Sequence, residues 1–144
     1  MKSILLILFL FISFFTHSPA HAFRLGIAGG SAGYGNGHAN AADFRSVSSY
    51  KVHATISTVD VSLAPSQALV GRYFAFKSGA FIIPAAGFIL DSNGSGPGMG
   101  STFGWTAFCF GLCLSLEFQS LVGIGPNRQL TTGHAARIGL DYSN

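Results

Sequence analysis

Seven ionisable side chains stand at alternate positions of segments whose intervening residues are apolar or small: Arg24, Lys51, His53, Asp60, Glu117, Arg137 and Asp141. Successive side chains of a strand face opposite sides, so each segment puts its charges on one face and its apolar groups on the other. Charges gathered in this way have two uses. They pair and seal an interior, since an unpaired buried charge is very costly, or they line a gated pore or proton path. Glu117 and Arg137 fall on the last two segments and are expected to pair. Asp141 is expected to meet Arg24 where the last segment closes against the first.

Other reactive residues are sparse. Cys109 and Cys113 stand at C-x3-C spacing, with no companion Cys or His to complete a zinc site and no C-x-x-C redox motif. Two readings stay open: a disulfide stapling a hairpin around Phe110-Gly111-Leu112, or two small apolar fillers. His38, His53 and His134 are not spaced as metal ligands. The G-x-S-x-G match at 29–33 (GGSAG) lies in a Gly-rich run read as a loop and not at a strand-to-helix elbow. No GK[ST] phosphate loop is present, and the run 29–37 (GGSAGYGNG) lacks the G-x-G-x-x-G spacing of dinucleotide sites. The sequence therefore predicts no catalytic residue, no cofactor and no metal, and the chain is read as a non-enzyme. A lipid-acting hydrolase built on His134 and Ser120 is the minor reading.

The elements that must position these groups are strands. Leu114, Leu116 and Phe118 alternate with Ser115, Glu117 and Gln119. Tyr50, Val52, Ala54 and Ile56 alternate with Lys51, His53, Thr55 and Ser57. Phe23–Ala28, Val59–Leu63 and Ala136–Tyr142 follow the same rule. Turn chemistry lies between: loops at 29–43, 91–100 (DSNGSGPGMG) and 123–133, a break at Ala64-Pro65-Ser66, and tight turns at Lys77-Ser78-Gly79 and Gly111-Leu112. Eight strands result, at roughly 23–33, 46–57, 59–64, 68–76, 80–91, 102–110, 113–122 and 133–142. The segments 80–90 and 103–110 are apolar on both faces, which suits a partly apolar interior or the core of a soluble β-protein. Pro84 predicts a bulge or kink.

Composition sets outer bounds. The chain has 144 residues, 19 of them Gly, and only 9% are charged. Low charge disfavours disorder, and interior glycine disfavours helices. The formal charge is +3 with no basic run, so nucleic acid is not an expected partner. Residues 1–22 have the form of a signal peptide: Lys2, an apolar run from Ile4 to Phe15, then Ala20-His21-Ala22. The run is too short for a membrane helix, which needs about 20 residues, so cleavage between Ala22 and Phe23 is expected over an uncleaved anchor. The mature domain then spans 23–144.

The alternating strands, the rhythm of long loops and tight turns, and the C-terminal segment with Ile138, Leu140 and Tyr142 together resemble the small eight-stranded outer-membrane β-barrels, such as the OmpA membrane domain. The resemblance covers the whole mature chain. Members usually end on an aromatic, whereas Ser143 and Asn144 follow Tyr142 here. It implies an all-β, antiparallel up-and-down barrel in the outer membrane, with membrane lipid and the barrel-assembly machinery as partners. The aromatics Tyr34, Phe44, Tyr73, Trp105 and Tyr142 are candidates for its interfacial girdles. The expected role is structural or surface-presenting, probed by a surface ligand through the loops, and non-conducting. The alternative is a secreted soluble barrel holding an apolar ligand between Phe81, Phe88 and Phe108.

Overall fold

A computed structural model describes residues 23–36, 45–91, 94–107, 109–124 and 130–143. The expected signal peptide with its Ala22 cleavage point, and the side chains of Phe44 and Phe108, lie outside the described residues. Nine strands are present among the described residues: β1 (Phe23–Asn36), β2 (Arg45–Ile56), β3 (Val59–Ala64), β4 (Gln67–Arg72), β5 (Phe74–Ala75), β6 (Ala80–Asp91), β7 (Gly94–Ala107), β8 (Leu112–Ile124) and β9 (Leu130–Ser143). All pairings are antiparallel, in the order β4-β3-β2-β1-β9-β8-β7-β6-β5, and β4 also pairs with β6. The sheet thus closes into an up-and-down barrel of eight strands, with β5 a short addition. Closure leaves no long free edge.

Why β5 is separate follows from Pro84. Gly71 pairs with Ala85 and Phe74 pairs with Ile82, so one register runs through both β4 and β5. In that register Arg72 lies opposite Pro84, which has no amide hydrogen to donate. The ladder lapses there and resumes two residues on. Pro84 was expected to bulge or kink its own strand, but β6 keeps an unbroken register with β7 from Ala80↔Trp105 to Asp91↔Gly94. The interruption falls on the neighbour instead.

The register also gives the stagger of the barrel. A line of cross-strand partners from Leu25 passes through Ala54, Val61, Val70, Ala86, Met99, Val122 and Thr132, and returns to β1 at Gly35, ten residues further along. Eight strands with that stagger tilt by roughly 40° and enclose an interior only wide enough for side chains.

The polarity of the wall is the inverse of a water-soluble protein's. β8 alternates exposed and buried without a break from Leu112 to Ile124, and it is the polar residues Ser115, Glu117 and Gln119 that are buried. On β9, Arg137 is 1% exposed and its neighbour Ile138 is 62% exposed. Leu, Ile, Val, Phe, Trp and Tyr side chains cover the outside on every long strand. The far side of the interior is apolar, as the two-faced segments implied. Leu69, Ile89 and Leu121 form one inward cluster, and Tyr73, Phe81 and Ile83 form another.

Three expected loops are mostly strand. β1 extends to Asn36, β7 begins at Gly94, and β8 and β9 reach Ile124 and Leu130. The glycines of 94–100 suggested turns, yet two of them serve packing. A Cβ on Gly98 would collide with the Ile89 side chain, and one on Gly100 with the Leu121 side chain. Glycine on β7 leaves room for the bulky groups that fill the interior. The expected tight turn at Lys77-Ser78-Gly79 is present, with Gly79 at φ 82°, and Gly111 at φ 80° turns the chain into β8, which already includes Leu112. Both are left-handed conformations that favour glycine.

Candidate functional site

The inward face of β1, β2, β8 and β9 carries several groups of polar contacts. Arg24 Nη2 donates to Asp141 Oδ2 at 2.7 Å. This contact is made across the β1–β9 seam that closes the barrel. The other Asp141 oxygen, Oδ1, lies 2.7 Å from His53 Nε2, although His53 is on β2, two strands away. Gly26 makes that reach possible. It is the register partner of both His53 and Asp141, and a Cβ there would collide with the Asp141 carboxylate and the His53 ring. The Arg24 guanidinium also lies over two neighbouring aromatic rings, 5.0 Å from the Tyr73 ring centre and 4.7 Å from that of Phe81. Both contacts are within cation–π range.

Further along, Lys51 Nζ lies 2.5 Å from Glu117 Oε2. Glu117 was expected to pair with Arg137. The two are indeed direct cross-strand partners, but the close ion contact of Glu117 is with Lys51, which faces it across the interior. Arg137 donates through Nη1 to Gln119 Oε1 at 2.7 Å and through Nε to Ser49 Oγ at 2.9 Å. Gln67 Nε2 donates to the same Gln119 oxygen at 2.8 Å, joining β4 to β8. Asp60 accepts from Thr55 Oγ1 at 2.7 Å, beside the β2–β3 turn. Gln67, Gln119 and Ser49 were not anticipated. Their one signal is position: Ser49 and Gln119 each share the parity of the charged residues on their own strand.

At the end of the barrel where β1 starts and β9 finishes, Cys109 and Cys113 are joined as a disulfide across the β7–β8 turn. The bond closes a loop that is already local, so its chain-entropy contribution is small. It borders a small recess of about 150 Å³ that Arg24, Tyr73 and Asp141 also line. Tyr73 therefore faces the interior, at 7% exposure, and is not a girdle residue. Trp105 and Tyr142 do point outward near this end. Phe81 and Phe88, proposed above as walls of one ligand cavity, lie on opposite faces: Phe81 is fully buried and Phe88 is exposed. They cannot line a common pocket.

The outward face also carries polar side chains, Ser31, Ser48 and Arg72 among them, and one polar row lines a groove. Ser101, Ser120 and His134 are successive cross-strand partners on β7, β8 and β9. They lie beside Phe103 and Phe118 in a surface groove of about 410 Å³. The sequence had linked His134 only to Ser120; Ser101 joins them because the register aligns all three.

No family model matches the chain, and neither a curated protein nor a solved structure matches it.

Proposed function

We propose that this protein is a sealed β-barrel of the outer membrane, exported by a cleaved signal peptide and similar in build to the OmpA membrane domain. The observation that carries this reading is the inverted polarity. Large apolar side chains face outward on every long strand, while Arg24, Lys51, His53, Asp60, Glu117, Arg137 and Asp141 are all 2% exposed or less. In water such a surface would be a large aggregation hazard. In a bilayer it is the arrangement required of a spanning sheet, because a closed barrel satisfies its own backbone.

The interior supports a structural role over transport. Salt bridges, amide contacts and two apolar clusters occupy a bore that eight strands already make narrow. The role is then to be an embedded scaffold that presents the connections at 37–44, 92–93 and 125–129. Outer-membrane lipid and the barrel-assembly machinery are its partners, and any surface ligand meets it through those short connections. The reading as a soluble carrier of an apolar ligand loses its proposed cavity with Phe81 and Phe88 on opposite faces.

The test is fractionation of cells expressing the full chain, followed by gel electrophoresis with and without heating. A band in the outer-membrane fraction that shifts on heating is expected. A protein that stays in the soluble periplasmic fraction without detergent would overturn the proposal.

A further inference from the structure

The row Ser101–Ser120–His134 is anomalous in its surroundings. Its neighbours toward the Tyr142 end are Phe103, Phe118 and Ala136, and beyond them Trp105, Leu116 and Ile138. On the other side come Met99, Val122 and Thr132, then Ile124 and Leu130. Hydroxyl and imidazole groups are thus set into a largely apolar part of the wall, with Phe103 and Phe118 below and Met99 and Val122 above.

Height places the row in one leaflet. His134 is eight residues from Tyr142 on β9, and Ser120 is eight from Leu112 on β8. At about 3.3 Å per residue and a tilt of roughly 40°, the row stands roughly 20 Å above the Tyr142 level, in a band about 25 Å tall. That is the half of the wall near the outer connections. A phospholipid at this depth offers two kinds of group: acyl chains and, at their upper end, ester carbonyls that accept hydrogen bonds.

We infer that the groove is a lipid site, in which Ser101, Ser120 and His134 hold the acyl-ester region of an outer-leaflet lipid while Phe103 and Phe118 take its chain. The inference rests on the membrane reading above. Each partner matches. A serine hydroxyl and an imidazole N–H donate to a carbonyl oxygen, and a bond of that kind strengthens away from water. The phenylalanine rings form an apolar shelf directly below the polar row.

The discriminating ligand pair is a diacyl phosphatidylethanolamine and its dialkyl-ether analogue, which keeps the headgroup and chains but has no ester carbonyl. Both are titrated into the folded barrel in detergent micelles, and the bound lipid is counted by native mass spectrometry. The wild-type protein is expected to hold the diester roughly five- to tenfold more tightly, the effect of about one hydrogen bond. The Ser101→Ala/Ser120→Ala double variant should lose that preference, and His134→Leu should reduce it. Equal retention of the two lipids by the wild-type protein would overturn the inference, as would a preference that survives in the double variant. The heat-shifted band is recorded on every sample. Its absence from the wild-type protein would fail the membrane reading, whereas its presence with equal lipid retention would fail the site alone. Because the wild-type comparison needs no substitution, a variant that does not fold leaves the test intact.

Discussion

Single residues decide how the charges of this barrel are tolerated. Lys51 and Glu117 are both essentially unexposed and 2.5 Å apart. Lys51→Met should destabilise the fold by about 3 kcal/mol, because it strips the Glu117 carboxylate of its close partner. Lys51→Met combined with Glu117→Gln should recover most of the loss, since removing both charges of a buried pair is often neutral. Equilibrium urea unfolding in lipid vesicles reads both. Gly26 and Gly29 offer a matched contrast. Gly26→Ala forces a methyl between His53 and Asp141 and should cost about 1–3 kcal/mol. Gly29→Ala meets nothing within 4 Å and should stay within about 0.5 kcal/mol of wild type. At this scale the sequence was legible for which residues share a face, because parity alone settles it. It was not legible for partners. Parity says that Glu117 and Lys51 share an interior, but only closure brings β2 opposite β8.

At the scale of elements, glycine and proline misled in opposite ways. Glycines of 94–100 looked like a loop because turns and crowded strands both demand a missing side chain. The sequence does not show that Ile89 and Leu121 fill the space that Gly98 and Gly100 leave. Pro84 correctly signalled a defect, but in the wrong strand, since a missing donor is felt by the partner across the ladder. Pro84→Ala should restore that donor and let β4 and β5 join. The gain of a hydrogen bond, about 1 kcal/mol, is nearly offset by the looser unfolded chain, which costs about 0.4–1 kcal/mol. Stability should therefore change little, while the new amide at position 84 becomes protected. Hydrogen exchange is the check, and a rapidly exchanging amide there would contradict the register described. The alternating strands were readable because apolar-out, polar-in alternation leaves the same trace in the sequence whatever the connections do.

The whole molecule joins a charged interior and an apolar exterior. The alternation was visible in the sequence, but alternation alone does not say which face is inside. The structure assigns the charged face to the interior, and the proposed membrane location rests on that assignment. Ile138 separates the alternatives. It points outward near the middle of β9 at 62% exposure, so Ile138→Arg should cost about 2–4 kcal/mol if that face meets hydrocarbon. In a water-soluble barrel the same change is a surface substitution and should cost within about 0.5 kcal/mol. Urea unfolding of the variant in vesicles, set beside wild type, distinguishes the two.

The most direct measurement uses the single tryptophan of the chain. Trp105 is outward and 60% exposed, so its surroundings report what covers the outer wall. The mature protein would be folded into vesicles whose acyl chains carry bromine, and its emission compared with that in unbrominated vesicles. The account predicts strong quenching by the brominated chains and little quenching by acrylamide added to the water. Emission that ignores the bromine and is quenched by acrylamide would place that wall in water and contradict the membrane barrel.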